Sequence, residues 1–446
     1  MAKGISSAQM VEELGSAGML GFFGAAGLPP MEVEEVSERL ASSLGDKPYG
    51  FNLIHSPNEP ELERYLSSLF IRKGIHNIEA SAFLGLTLPL VRYRLYGIHR
   101  NSYGAVCVPN RIFAKVSREE LAEKFMSPPP ESLVRELVAS GEITEEQAQL
   151  ASSIPMAQVI TAEADSAGHT DNRPAVALFP TLKSISARIA AKYGYKCRLY
   201  TGLAGGISTP AAAAAAFAMG AAYIMTGSVN QACIESGTSD EVRAMLAETR
   251  QADVIMAPAA DMFEMGVTVQ VLKRGTMFPM RAAKLYELYR SHSSIDDIPV
   301  AEREKLEKNL FKASLTEVWN ETRSYFIKRD PVQAERGDRD PKHRMALVFR
   351  WYLGQAAHWA KEGESDRRMD YQVWCGPAMG AFNEWVSGSP LESPINRRVV
   401  SVAMNILFGA AVLTRANIIR LQGALFQDGV PELNPLELSE INEYLR

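Results

Sequence analysis

Three groups of residues have the types and spacing that chemistry needs. The first is Gly205-Gly206-Ile207-Ser208-Thr209-Pro210, which follows an apolar run and opens a helix carried on by Ala211 to Ala216. Glycines let a backbone turn tightly and approach a ligand. A helix N-terminus adds unpaired N–H groups and the positive end of its dipole, which favour an anion. Pro210 suits the first helical position, and Ser208 or Thr209 suits the cap. The next apolar run ends in a second small-residue turn, Thr226-Gly227-Ser228. Paired turns after consecutive late strands are where barrel enzymes hold phosphate, although each alone is also an ordinary capping turn. The spacing fits neither a dinucleotide fingerprint nor a P-loop.

The second group is Glu163-Ala164-Asp165-Ser166-Ala167-Gly168-His169. If the strand persists, Glu163, Asp165 and His169 share one face. A histidine just past a strand end, beside carboxylates, is a candidate general acid or base; a satisfied core histidine is the alternative. Lys115, near the end of RIFAKVS, is either a buried cation facing a ligand or a side chain that snorkels to water. Asn52 in YGFNLIH and Ser81 in IEASAF hold similar strand-end positions, suited to hydrogen-bonding a ring or to capping the core. The third group, Lys273, Arg274, Arg281 and Lys284, follows the helical-looking DMFEMGVTVQVL and offers either a landing site for an acidic partner or a solvated face. The methionines and phenylalanines between Met262 and Met280 read as core or as the lining of an acyl groove.

The elements that position these residues follow from periodicity. Seven short apolar runs alternate with helical stretches: Met19–Gly27, Tyr49–His55, Asn77–Phe83, Arg111–Ser117, Gln158–Asp165, Arg198–Gly206 and Ala222–Gly227. Amphipathic segments such as Pro30–Leu44 and Pro174–Tyr193 lie between them. This alternation predicts a parallel sheet with crossover helices, and a (β/α)₈ barrel fits it better than a doubly wound sheet. The first strand is missing from the count, since MAKGISS reads as the loop after it; either the sequence begins inside the barrel or something else closes the gap. Residues 127–155 read as a helical insertion in a βα loop, on the face where active sites sit. After about residue 250 the period turns helical, at Arg281–Tyr289, Val300–Phe311, Leu315–Ile327, Lys342–Trp359 and Arg397–Leu421. The expected division is therefore a barrel over 1–250 and an α-helical domain over 251–446.

Composition narrows the class. The 446 residues are 46% hydrophobic and 22% charged with a net charge of −5, which is globular and gives no bulk basic field for nucleic acid or an anionic membrane. Four scattered cysteines form no CxxC pair, so no metal site is expected, and few thiols suit a reducing cytoplasm. Val399 to Leu413, broken by Ser401 and Asn405, reads as a buried helix rather than a membrane span.

The segments ADSAGHTDNRP, AGGISTPAAA, TGSVNQACIE, APAADMFEMG, QVLKRGTMFPMRAAKLYELYR and WCGPAMGAFNEW together resemble the PfaD-type enoyl reductases, which act in trans on polyunsaturated fatty acid and trans-acyltransferase polyketide synthases. The barrel half also resembles the wider group of flavin enoyl-ACP reductases and nitronate monooxygenases, which are FMN-binding TIM barrels. The resemblance implies FMN, with NADPH or NADH as reductant and an enoyl thioester on an acyl carrier protein as substrate. It implies that Gly205, Gly206, Gly227 and Ser228 hold the phosphate. Ala2, Lys3 and Gly4 would lie along the ring, with Asn52, Ser81 and Lys115 touching it. His169 matches the group's active-site histidine, with Asp165 or Glu163 to orient it; Ala167 stands where the family's GGH motif has its first glycine. Lys273, Arg274 and Arg281 would dock the acidic carrier. The competing expectations are nitronate oxidation with His169 as base, and a non-catalytic flavin-binding scaffold of a synthase.

Overall fold

The seven apolar runs fold as strands because branched and aromatic side chains between glycine-rich turns favour extended backbone buried on both faces. The computed structural model describes residues 1–55, 60–423, 425–426 and 433–445. In chain order the strands are β1 (Gly21–Phe23), β2 (Tyr49–Ile54), β3 (Asn77–Ser81), β4 (His99–Arg100), β5 (Val106–Cys107), β6 (Arg111–Val116), β7 (Val159–Glu163), β8 (Gly168–His169), β9 (Tyr200–Ala204), β10 (Ile224–Met225), β11 (Val254–Pro258) and β12 (Thr268–Leu272). One parallel sheet runs β1-β2-β3-β6-β7-β9-β10, and a helix follows each of its strands, as in a TIM barrel. Each of its seven strands falls within one of the seven runs. β4 and β5 make a separate hairpin.

Two compact units result: Met1–Ser166 with Thr170–Gly237 and Ala381–Arg446, and Thr238–Gly380 with Ala167–His169. In the first, Phe51, Ile78, Ile112, Ile160 and Leu203 are fully buried or nearly so, together with Leu69, Phe70, Phe125 and Phe179 from the helices. The barrel interior below the mouth is filled by aromatic rings, with Phe22 and Phe113 at 5.1 Å and Phe113 and Tyr223 at 6.2 Å. Gly50 and Gly202 make room for them. A β-carbon on Gly50 would meet the Phe22 ring at 2.7 Å, and one on Gly202 the Tyr223 ring at 2.3 Å.

Three expectations about organisation change. The insertion over 127–155 does not lie in a βα loop. Glu119–Met126 already supplies the crossover helix after β6, so helices Glu131–Ala139 and Glu145–Ala151 fall in the connection that enters β7, away from the strands' C-terminal ends. The boundary falls after Gly237 rather than at 250, and Ala381–Arg446 returns to the barrel unit. There helix Val399–Leu421 packs on helix Pro210–Ala218. By length and composition Val399–Leu421 would also pass for a membrane span. The second unit is not purely helical: β11 and β12 pair antiparallel and β12 also pairs β8, because the Thr-Val-Gln-Val-Leu stretch alternates as a strand. Helices Phe278–Ser291, Leu315–Arg329 and Pro341–Glu362 build the rest of that unit, around Phe263, Phe278, Phe311, Phe349 and Tyr352.

Gly409 sets the approach of the two barrel-unit helices. A β-carbon there would lie 2.6 Å from Pro210 Cγ, and a proline ring cannot swing aside. Gly409→Ala is therefore expected to destabilise by about 1–3 kcal/mol through overpacking. An unobstructed helix-interior site would instead gain roughly 0.5–1 kcal/mol from the same change, so the sign in urea denaturation decides.

Candidate functional site

The C-terminal ends of β2, β3, β6 and β7 bring five polar side chains together at the barrel mouth. Asn52, Glu79 and Ser81 are about 95% buried. Asn52 Nδ2 donates to Glu79 Oε2 at 2.7 Å and to Ser81 Oγ at 3.2 Å, and Ser81 Oγ donates to Glu79 Oε1 at 2.5 Å. Lys115 Nζ lies 3.1 Å from Glu163 Oε1 and 3.6 Å from Glu79 Oε1. Ser166 Oγ also donates to Glu163, at 3.0 Å. Burial opposes the Lys115 charge, but Glu163 and Glu79 outweigh it and raise its pKa. Burial likewise works against the Glu79 carboxylate, yet Lys115, Ser81 and Asn52 hold it below the usual range. Lys115 thus turns inward to an ion-pair cluster, which resolves its two readings.

The glycine turns stand at the ends of β9 and β10. Gly205 and Gly206 have φ of +83° and +76°. A β-carbon on Gly205 would sit 2.6 Å from the Ala164 carbonyl carbon, whereas those on Gly206 and Gly227 would meet nothing within 4 Å. Thr209 is the cap of helix Pro210–Ala218, accepting from the Ala212 amide at 3.3 Å. That leaves Ser208 Oγ buried without a hydrogen-bond partner. Ala2, Lys3 and Gly4 form a loop fastened by the Lys3 amide to Ala26 O at 2.7 Å and the Gly4 amide to Gly24 O at 2.9 Å, with Lys3 at φ +54°.

His169 is placed by β8, at the edge of the second unit's sheet. Gly168 before it has φ +74°, which glycine alone adopts cheaply. His169 Nε2 lies 3.2 Å from Asp261 Oδ1, and Asp261 also accepts from the Met262 amide. Burial opposes the Asp261 charge, but the bond to His169 and the nearby charges lower its pKa overall. Asp165 accepts from Asn172 Nδ2 at 2.8 Å, and Glu163 serves Lys115. Asp261, remote in sequence, thus joins the residues around His169. Glu79 and the orphaned Ser208 hydroxyl were also missed. A carboxylate inside an apolar strand, two residues before Ser81 and so on its face, was the available signal for Glu79.

In the basic group, Lys273 and Arg274 are exposed. Arg281 is not available for docking: its guanidinium pairs with the buried carboxylate of Asp370, which also accepts from Tyr352 Oη at 2.6 Å. Among the described residues no group of three or more His, Cys, Asp or Glu could hold a metal.

Two observations test whether a phosphate-bearing ring fits the mouth. Asn52 Oδ1 is buried and unpaired although its amide is anchored, and Ser208 Oγ is buried and unpaired beside glycines with open space above them. Buried polar atoms are rarely left so. Both fit a ligand with a polar ring edge and a phosphate. The fold is that of the TIM-barrel class, with the polar mouth at the C-terminal ends of its strands.

The chain belongs to the PfaD-type enoyl reductase family. It is 39% identical to the crystallised enoyl reductase domain of MlnA, from the macrolactin biosynthesis cluster of Bacillus amyloliquefaciens, with a TM-score of 0.90 and 94% of each chain covered. It is 50% identical to a polyunsaturated fatty acid synthase polypeptide of Thraustochytrium sp. (strain ATCC 26185 / S-3) and 44% identical to polyketide biosynthesis protein PksE of Bacillus subtilis (strain 168), over 94% and 93% of this chain. It spans 28% and 54% of those two relatives' lengths. Residues 292–371 match the inserted helical domain of [acyl-carrier-protein] S-malonyltransferase.

Proposed function

We propose that the chain is a trans-acting enoyl reductase. It reduces the α,β-double bond of enoyl thioesters carried on an acyl carrier protein, with NAD(P)H as reductant and FMN as bound cofactor, in polyketide or polyunsaturated fatty acid synthesis. The observation that carries this is the barrel mouth, where an anchored amide with an unpaired Oδ1, a buried lysine and a glycine cradle with an unpaired hydroxyl occur together. The relatives support the substrate class, since they are synthase proteins and an enoyl reductase domain. The match over 292–371 supports a carrier-bound substrate.

FMN bound at the mouth supplies hydride transfer from the nicotinamide to the enoyl β-carbon. Gly205, Gly206, Gly227, Ser228 and Ser208 hold its phosphate, and Asn52 presents Oδ1 as an acceptor to its ring. Lys115 places a cation among those residues, fixed by two carboxylates so that it costs no reorganisation when charge develops. Ala2, Lys3 and Gly4 lie against the ring. His169 supplies the proton to the α-carbon. With Nε2 turned to Asp261, the proton it delivers leaves from Nδ1.

The test is anaerobic. The purified yellow protein is reduced with NADPH, and a crotonyl-loaded carrier protein is added. Flavin reoxidation with saturated product is expected. Oxygen uptake on a nitronate, without reoxidation by the enoyl carrier, would replace the reading with nitronate oxidation; no reaction with either leaves a scaffold. A second expectation concerns the cradle. Gly205→Ala combines a left-handed φ with a 2.6 Å clash against backbone, so the loop must move. Purified protein is expected to lose most of its flavin, read from its absorbance ratio at 450 and 280 nm, while Gly206→Ala, with open space, loses less.

A further inference from the structure

Around the turn that enters helix Phe278–Ser291, the second unit exposes three thioethers among cations. Met277, Met280 and Met369 are 37%, 69% and 47% exposed. The Met277 amide donates to the Met369 carbonyl at 2.8 Å, which ties two distant stretches of chain into one surface. Met280 lies one helical neighbour from Met277, while Phe278, Ala282 and Leu285 take the buried face. Lys273, Arg274 and Arg368 are exposed beside these methionines in sequence. Arg274 lies 3.5 Å from Asp253 and 3.9 Å from Glu248, distances too long to lock a guanidinium. Lys273 and Arg368 have no ion-pair partner among the described residues. The nearby Asp370 carboxylate is buried and already held by Arg281 and Arg367.

One exposed methionine is ordinary. Three joined together, with cations beside them, in a chain of net charge −5 need a partner that explains them. Methionine is unbranched and polarisable, so it moulds to apolar side chains of varied shape. Cations at the edge select carboxylates and steer encounter.

We propose that this patch docks the acidic helical face of the acyl carrier protein. The methionines take its apolar side chains, and Lys273, Arg274 and Arg368 take its carboxylates. The proposal rests on the enoyl reductase reading and names where that reaction's partner binds. Charge favours the carrier over a second copy of this chain, because a two-fold interface would set the same cations against one another.

Two holoenzyme variants test it, Lys273→Glu/Arg274→Glu/Arg368→Glu and Met277→Ser/Met280→Ser/Met369→Ser, each assayed with a crotonyl carrier protein and with crotonyl-N-acetylcysteamine. All six side chains are exposed, so folding is preserved. The charge reversal is expected to lower kcat/KM for the carrier substrate about tenfold or more and to flatten its salt dependence. The methionine variant is expected to lower it without changing the salt dependence. The small thioester is expected to react at the wild-type rate in both. Wild-type kinetics with the carrier in both variants would overturn the docking site and leave the reductase reading intact. A wild-type holoenzyme that reduces neither thioester sinks the reductase reading, and the docking site with it. Wild-type dimers in sedimentation that the methionine variant abolishes would also overturn the proposal, giving the patch to a second copy.

Discussion

His169→Ala is expected to keep its flavin and its reduction by NADPH while losing about 10²–10⁴-fold in the rate of enoyl reduction, the range for removing a positioned general acid. The two half-reactions separate because the residues assigned to the cofactor lie on β2, β3, β6 and the turns after β9 and β10 of the barrel unit, whereas His169 belongs to the sheet of the other unit. Stopped-flow traces of each half-reaction read the two effects independently. Asp261→Asn is expected to give a smaller loss, about tenfold, because the amide still accepts a hydrogen bond at Nε2 but withdraws the charge that stabilises the imidazolium. Loss of flavin from His169→Ala would place this histidine in the binding machinery instead. An Asp261→Asn variant with wild-type rates would show that the 3.2 Å contact does not orient the ring during turnover.

The barrel was legible because its strands carry a strong local signal. Runs such as YGFNLI and RIFAKV are bounded by turn residues and fold where their composition says. The cradle was legible for the same reason: a glycine pair marks where the chain can take positive φ, and a proline at the first helical turn has its φ already set. What failed to show were partnerships between segments far apart in sequence. Asp261 meets His169 only because β8 joins β12 and the β11–β12 connection carries Asp261 back toward it. Lys115 was ambiguous because its role depends on Glu79 and Glu163, one on each neighbouring strand. The return of Ala381–Arg446 to the barrel unit is of this kind too: a helix of high apolar content announces that it packs, but not against what. The insertion was misplaced for a different reason. SREELAEKF gives a crossover helix of only eight residues, and the longer charged stretch after it, which holds two more helices, carries the stronger helical signal.

Lys115→Met is expected to lower stability by about 3 kcal/mol near pH 7.5, the low end for removing one partner of a buried ion pair, since Lys115 keeps a quarter of its side chain exposed. The cost comes from what is left behind: Glu79 and Glu163, 7% and 12% exposed, without the lysine that pairs with both. The pH dependence identifies that cause. In the wild type the pKa of Glu79 is depressed, so its contribution is present above the ordinary glutamate pKa and is lost as pH falls through the lower folded value. The pKa of Lys115 is raised, so its contribution is present below the ordinary lysine pKa and is lost as pH rises through the higher folded value. Between the two limits the cluster adds a constant amount. In the variant, burial is no longer outweighed by the lysine and pushes the Glu79 carboxyl up, so lowering the pH neutralises it and removes the penalty. The deficit against wild type is expected to fall to less than half between pH 7.5 and pH 5, and Lys115→Met/Glu79→Gln is expected to recover much of it at pH 7.5. Urea denaturation at both pH values measures this. A deficit that stays constant with pH would mean that lost packing of the lysine stem, and not charge, is responsible. With flavin bound, the same variant is expected to have a more negative reduction potential, because the cation that offsets the reduced ring's charge is gone. An unchanged potential would show that the two glutamates already cancel Lys115 at the cofactor.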